Sequence, residues 1–254
     1  LSDNRIDGTG RFLDPSQPEN GWQVPMIAGI PGFENNGASS IYSAGFIRNL
    51  RPTNPNPNQI ITYPIDDLLD DTSDLLVIAN IDWVIVDESS ISVLDVLEDY
   101  PDAIITDEGS VIIAIDKGLP LLASNQIKVV EPYEQFAPLA REMSIDPNKN
   151  LANFIPVVAD DVSHRYIEFH EQDVEMNIQN HLMESQYVKI DYYLSSKAYV
   201  QLSYSYYPYL HVMLDGVEIE KFPTAFGLIG LVIPEGQHTI EIIPYLSPIR
   251  KITV

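Results

Sequence analysis

From about Ile155 onwards, short apolar runs recur every eight to twelve residues, with polar positions alternating inside them. A period of two residues is typical of β-strands with one buried face, and regular spacing with turn signals between the runs is typical of a β-sandwich. The predicted strands cover residues 165–169, 174–178, 187–194, 199–203, 209–214, 217–222, 226–233 and 239–243. We therefore expect residues 155–254 to form an antiparallel β-sandwich of jelly-roll type.

Two turn signals predict how the last strands are connected. Asp215-Gly216 separates two alternating runs, and Asp-Gly is favoured in two-residue hairpins because both positions need positive φ. Pro234-Glu235-Gly236 combines a proline, whose φ is fixed near −65°, with a glycine that accepts positive φ. The sequence therefore predicts two hairpins and a chain that ends in an antiparallel meander.

Residues 1–154 have a different pattern, a loop-rich stretch followed by short helices and strands. Pro and Asn are dense between Asp7 and Asn58, which disfavours helix and sheet because Pro lacks a donor and Asn bonds its own backbone. Beyond them the pattern predicts helices at 40–50, next to Asp74 and at 91–97, and strands at 83–86, 103–106, 111–115 and 126–130. We expect a mixed α/β domain over residues 1–154 and an α+β class for the chain.

Charge restricts the partners more than it restricts the fold. The chain carries 37 acidic and 14 basic side chains, a formal net charge of −23. Such a surface repels phosphate backbones and anionic headgroups over a Debye length of about 8–10 Å, so we expect no nucleic-acid partner and no direct membrane insertion of this segment. The lack of cysteine excludes disulfides, thiolate zinc sites and a cysteine nucleophile.

Several segments occur in a characteristic order along most of the chain. They are Arg11-Phe12-Leu13-Asp14, Gly29-Ile30-Pro31-Gly32-Phe33, the helix-then-strand segment from Asp74 to Val86, Tyr207-Pro208, the Asp215-Gly216 turn, Ala225-Phe226-Gly227, and the turn from Pro234 to Ile240. In this order they resemble the extracytoplasmic C-terminal part of multispanning bacterial membrane proteins of the YfhO type, which are related to GT-C glycosyltransferases.

The resemblance implies a non-catalytic extracytoplasmic domain of a membrane-anchored, glycosyltransferase-like envelope protein. It places the domain in the periplasm or at the cell surface, tethered by transmembrane helices outside this segment. The implied partners are a glycan or lipid-linked sugar, which the domain would position, and the membrane-embedded part of the same chain. The catalytic acid of GT-C-like enzymes lies between early membrane helices, so the resemblance carries no catalytic residue onto this chain.

Other clusters that could carry chemistry have simpler interpretations. The five carboxylates between Asp66 and Asp74 lack the glycine of a calcium loop and are interrupted by two leucines, so solvated helix ends explain them better. No histidine pair has zinc-binding spacing, and no GxSxG, Walker A or GxGxxG motif occurs. We expect structural roles for the histidines, which are His164, His170, His181, His211 and His238. We expect no metal and no cofactor.

Aromatic side chains are the remaining candidates for a binding site, because sugar rings stack on tyrosine and tryptophan through their apolar C–H faces. The candidate glycan-binding residues are Trp22, Tyr206, Tyr207, Tyr209 and Asp215, with Asn180 as a further hydrogen-bonding partner. Tyrosines that alternate along a strand are also favoured as cross-strand packing pairs, and that interpretation stays open.

Two further functions stay open at this point. The same sandwich and tyrosines suit a free-standing, secreted carbohydrate-binding protein. A hydrolase with dispersed acids would instead require two carboxylates roughly 5–10 Å apart at the base of a cleft.

Overall fold

The computed structural model describes residues 11–13, 74–87, 100–105, 110–114, 118–131, 136–158, 174–184, 187–208 and 210–244. The strands are β1 (Arg11–Leu13), β2 (Ile81–Asp87), β3 (Ile104–Ile105), β4 (Ser110–Ala114), β5 (Leu121–Ser124), β6 (Ile127–Val130), β7 (Ile155–Val158), β8 (Met176–Glu184), β9 (Tyr187–Leu194), β10 (Ala198–Ser205), β11 (Leu210–Leu214), β12 (Val217–Glu218), β13 (Lys221–Pro223), β14 (Leu228–Ile233) and β15 (Gly236–Pro244). The helical parts are α1 (Phe136–Glu142) and a short segment at 74–78. No helix within these ranges is long and apolar enough to cross a membrane.

Two antiparallel sheets pack face to face and form the predicted β-sandwich. The four-stranded sheet has the order β13-β14-β10-β5, and the five-stranded sheet has the order β12-β11-β15-β9-β8. Burial alternates along β9, where Val188, Ile190, Tyr192 and Leu194 point into the core between the sheets. This alternation follows from the two-residue period of a strand with one solvated face. β9 and β11 lie inside their sheet and not at its edges.

The four-stranded sheet is buried on both faces. Leu121 and Ala123 of β5 belong to the core between the sheets, whereas Leu122 belongs to a second core on the other side. Leu228 and Ile229 of β14 are divided between the two cores in the same way. Among the described residues, the outward side of the five-stranded sheet belongs to neither core.

The second core is built by the elements that precede the sandwich in sequence. It packs the 74–78 segment, β4 and α1 against the four-stranded sheet, through Leu75, Leu76, Val111, Ile113, Leu139, Ala140, Leu122, Phe226 and Leu228. In α1, Pro138 lies in the first turn, where its missing N–H costs no helical bond, and Arg141 lies in the last turn, where a cation favours the helix dipole.

Two smaller sheets complete the described structure. One has the order β1-β2-β4-β3, with β1 parallel to β2 and the other pairs antiparallel, and the second pairs β6 with β7 in parallel. The strands predicted at 83–86, 103–106, 111–115 and 126–130 are found here as β2, β3, β4 and β6. The helices predicted at 40–50 and 91–97 and the strand at 165–169 lie outside the described residues.

The predicted Asp215-Gly216 hairpin is confirmed. Asp215 and Gly216 have φ of 52° and 79°, and Leu214 pairs with Val217 across the turn. The turn at 234–236 also forms, with Gly236 at φ 125°, but it is not a hairpin.

The predicted meander at the end of the chain is therefore wrong. β14 pairs with β10 and β13, whereas β15 pairs with β9 and β11 of the other sheet. The run at 217–222 also divides between the sheets, as β12 and β13. Turn residues determine only the local backbone conformation. The sheet that the next strand joins depends on whether that strand is buried on one face, as β15 is, or on both, as β14 is. The predicted boundary after residue 154 stays a prediction, and β5, which precedes it, pairs with β10.

Candidate functional site

The outward side of the five-stranded sheet, called here the outer face, is the candidate site. Its side chains alternate with the buried ones of β8, β9, β11 and β15, as the register of these strands requires. The outer face consists of Asn177, Gln179, Asn180, Leu182, Tyr187, Lys189, Asp191, Tyr193, His211, Met213, Glu218, Gln237, Thr239, Glu241 and Ile243.

An exposed aromatic ring lies near one end of the outer face. Tyr193 is 44% exposed and pairs with Asn177 on β8 and with Gln237 on β15. The Gln237 amide donates a hydrogen bond of 3.0 Å to Oε1 of Gln179, a residue at the β8 bulge. This hydrogen bond holds the Gln237 side chain in place beside Tyr193. The arrangement offers an apolar ring between two amide-bearing side chains.

A carboxylate held by hydrogen bonds lies two residues before Tyr193 on β9, among the cross-strand neighbours Asn180 and Thr239. Asp191 accepts hydrogen bonds from the Thr239 hydroxyl at 2.7 Å and from the Asn180 amide at 3.2 Å, and Lys189 Nζ lies 3.3 Å from it. The Thr239 hydrogen bond is the largest cause that holds the pKa of Asp191 below its ordinary value. Asp191 is therefore an ionised, oriented acceptor at neutral pH.

The rest of the outer face mixes polar pairs with apolar side chains. The Tyr187 hydroxyl donates to Glu241, and Nδ1 of His211 lies 2.7 Å from Oε1 of Glu218. Leu182 on β8 and Ile243 on β15 are exposed on the same face. Together the rows present hydrogen-bonding groups of both kinds beside apolar surface, which is the chemistry needed to hold a molecule that carries many hydroxyls on apolar rings.

The predicted tyrosines lie elsewhere, before β11. Tyr206 donates its N–H to the Gly227 carbonyl at 2.8 Å and lies below Lys221, whose Nζ is 5.7 Å from the ring centroid. Burial lowers the pKa of Lys221. Tyr207 is 45% exposed. Trp22 and Tyr209 lie outside the described residues.

Asp215 follows the other end of β11, so the structure does not bring it together with Tyr206 and Tyr207. A five-residue strand is about 17 Å long. Both carboxylate oxygens of Asp215 already have partners in the protein, because His238 Nδ1 lies 2.7 Å from one and the Thr239 N–H donates to the other at 2.8 Å. These two contacts, His238 first, lower the pKa of Asp215.

The described histidines are hydrogen-bonded, which agrees with the predicted structural roles. Nε2 of His181 lies 2.7 Å from the Tyr204 hydroxyl, and His211 and His238 contact carboxylates. His164 and His170 lie outside the described residues. Within the described ranges no group of three or more histidine, aspartate or glutamate side chains is placed to hold a metal ion.

Asn180 was among the residues predicted from the sequence, whereas Tyr193, an exposed ring of the outer face, was not. The signal was available, because the pattern of β9 places Tyr193 on the opposite side from Ile190 and Leu194. The tyrosines concentrated at residues 204–209 were predicted instead.

A separate cleft of about 520 Å³ lies where the loop around residues 144–153 meets the end of β5. Its lining includes Ser124, Gln126, Asn153 and Asp146, and Asp146 is the one carboxylate among the described residues that line it. Lys149 Nζ lies 3.5 Å from Oδ2 of Asp146. This cleft does not present the pair of carboxylates that glycoside hydrolysis requires.

Comparison with known proteins adds no relative. No protein-family model, curated protein or solved structure matches this chain.

Proposed function

We propose that the protein is a non-catalytic carbohydrate-binding module, a β-sandwich of jelly-roll type that binds a glycan on its outer face. The observation that carries the proposal is the exposed ring of Tyr193 between Asn177 and Gln237. The face of an aromatic ring packs on the apolar C–H face of a sugar, and the flanking amides donate to and accept from its hydroxyls.

The shape of the outer face favours an extended oligosaccharide over a single sugar. Tyr187 and Tyr193 lie on the same side of β9, six residues apart, which corresponds to about 20 Å at the usual rise of a strand. The oriented carboxylate of Asp191 lies between them. A glycan along β9 would contact two tyrosines and this fixed acceptor without any conformational change of the sheet.

A matched pair of tyrosine variants tests the proposal by calorimetric titration with a panel of tetrasaccharides. Tyr193 and Tyr207 are almost equally exposed, at 44% and 45%, but Tyr193 alone belongs to the outer face. We expect Tyr193→Ala to weaken binding at least about tenfold, which is 1.4 kcal/mol, and Tyr207→Ala to retain it. Far-UV circular dichroism checks that both variants fold.

The reverse result would assign the site to the tyrosines before β11, as the sequence analysis did, and not to the outer face. If no glycan of the panel binds the unaltered protein, the carbohydrate-binding proposal itself is refuted.

The cellular setting is a separate proposal. The resemblance to YfhO-type proteins supports an extracytoplasmic domain tethered to a membrane-embedded part, where the bound glycan or lipid-linked sugar would be positioned for a transferase. Fractionation of the full-length protein tests it: recovery with the membranes supports the tethered domain, and recovery from the medium supports the secreted binding protein.

A further inference from the structure

The charged side chains of the outer face are mostly acidic. Its described side chains include three carboxylates, Asp191, Glu218 and Glu241, against one ammonium group, Lys189. With histidine counted as uncharged, these described side chains carry a net charge of −2.

Internal pairing does not remove this excess. Lys189 lies 3.3 Å from Asp191, so the single ammonium group is already shared with the carboxylate beside it on the same strand. The partner of Glu241 is the neutral hydroxyl of Tyr187, which supplies a hydrogen bond and no charge. In the register Lys189 also lies directly opposite Glu241, so one ammonium group faces the carboxylates of both Asp191 and Glu241 and leaves a net negative charge beside them.

The charge of the rest of the protein also favours a cationic ligand. The formal net charge of the chain is −23, so its field concentrates cations and repels anions near the surface. The rings of Tyr187 and Tyr193 add favourable sites for a cation, because the face of an aromatic ring carries negative potential. The charge of the outer face thus complements a positively charged ligand with apolar rings.

We propose that the outer face selects glycans whose sugars carry protonated amino groups, in preference to neutral or acidic glycans of the same length. This inference depends on the proposed carbohydrate-binding function and names its ligand class. The sugar rings would pack along β9, and their ammonium groups would lie near Asp191 and Glu241.

Calorimetric titration with three tetrasaccharides tests the selection. They are the β-1,4-linked glucosamine tetramer, the same tetramer fully N-acetylated, and a uronate tetramer, each at about pH 6 and about 20 mM salt, where carboxylates and amines are ionised and screening is weak. We expect the amino form to bind about tenfold more tightly than the acetylated form, and the uronate to bind least.

Charge-removing variants connect this preference to the outer face. Asp191→Asn with Glu241→Gln keeps the side-chain shapes, and we expect it to reduce the preference to less than about twofold, since the two charges that attract the amines are gone. Glu142→Gln on α1, away from the outer face, makes the same type of change and should leave the tenfold ratio intact.

The possible failures are distinguishable. Equal binding of the amino and acetylated tetramers, or tightest binding of the uronate, overturns the inference and leaves a carbohydrate-binding module in place. Binding of pentalysine as tight as that of the amino tetramer also overturns it, because charge without sugar would then suffice. If none of the three sugars binds, the proposed function itself is refuted.

Discussion

Gly230 lies in β14 beneath an aromatic ring, and replacing it with alanine is a sharp test of the packing of the sandwich edge. Gly230 pairs with Phe222 on β13, and a Cβ added at residue 230 would lie 2.2 Å from Cε2 of Phe222 and 2.6 Å from Cδ2 and Cζ. Gly230 is not among the residues with positive φ, so the cost of Gly230→Ala is steric and not a backbone strain.

The size of the effect follows from two opposing contributions. To reach an ordinary contact distance of 3.4 Å, the ring atom now 2.2 Å away must move by about 1.2 Å, and overpacking of this kind costs about 1–3 kcal/mol. Alanine also lowers the conformational entropy of the unfolded chain, which stabilises the folded protein by about 0.4–1 kcal/mol. We therefore expect Gly230→Ala to lower the free energy of unfolding by up to about 2.6 kcal/mol, with a central value of about 1.3 kcal/mol.

Urea unfolding of a double-mutant cycle measures this cost directly. In the Phe222→Ala background the obstructing ring is absent, so Gly230→Ala should be neutral or slightly stabilising. The coupling between the two sites should thus reach about 1–3 kcal/mol. A coupling below about 0.5 kcal/mol would refute the packing of Phe222 on Gly230, because independent sites add within that margin.

Two further predictions concern the turns at one end of the five-stranded sheet. The lowered pKa of Asp215 stabilises the fold above the unfolded-state pKa of about 3.9, and this contribution is lost as the pH falls through the folded-state pKa. Asp215→Asn should therefore flatten the acid limb of a plot of unfolding free energy against pH, and an unchanged limb would contradict the contact with His238. Gly236→Ala should cost about 1–3 kcal/mol in urea unfolding, because Gly236 has φ 125° and its added Cβ would lie 3.3 Å from His238 Nε2. Gly216→Ala, at φ 79°, also strains the backbone but meets no atom within 4 Å. It should therefore cost less, and an equal loss would contradict the contribution of the His238 contact.

The sequence predicted those parts of the fold that depend on local pattern. The bounds of β9 match the predicted run at 187–194, because apolar and polar positions alternate along it with one face buried. The Asp215-Gly216 turn was predictable for the same local reason, since both residues tolerate positive φ.

What the sequence could not provide depends on tertiary partners. Leu121–Ser124 is buried on both faces, so it lacks the alternation that identifies a strand, and β5 was not predicted. The turn at 234–236 was recognised, but its local chemistry does not determine which sheet receives β15.

The sequence indicated which types of side chain a binding site would use, but not where on the fold they lie. Tyrosine and amide side chains were named, and Asn180 lies on the outer face. Tyr192 and Tyr193 are adjacent tyrosines, one fully buried and the other 44% exposed, and the alternation along β9 places them on opposite sides of the sheet. Asp215 stays a predicted ligand. It lies in the turn after β11, apart from Tyr206 and Tyr207, with His238 and the Thr239 N–H beside its oxygens.

An NMR titration of the isotopically labelled protein with the glucosamine tetramer tests the central claim most directly. We predict that amide shift changes cluster on β8, β9 and β15, centred on Tyr193 and Asp191. Changes that cluster instead at residues 206–208, or at the cleft around 144–153, would contradict a glycan site on the outer face.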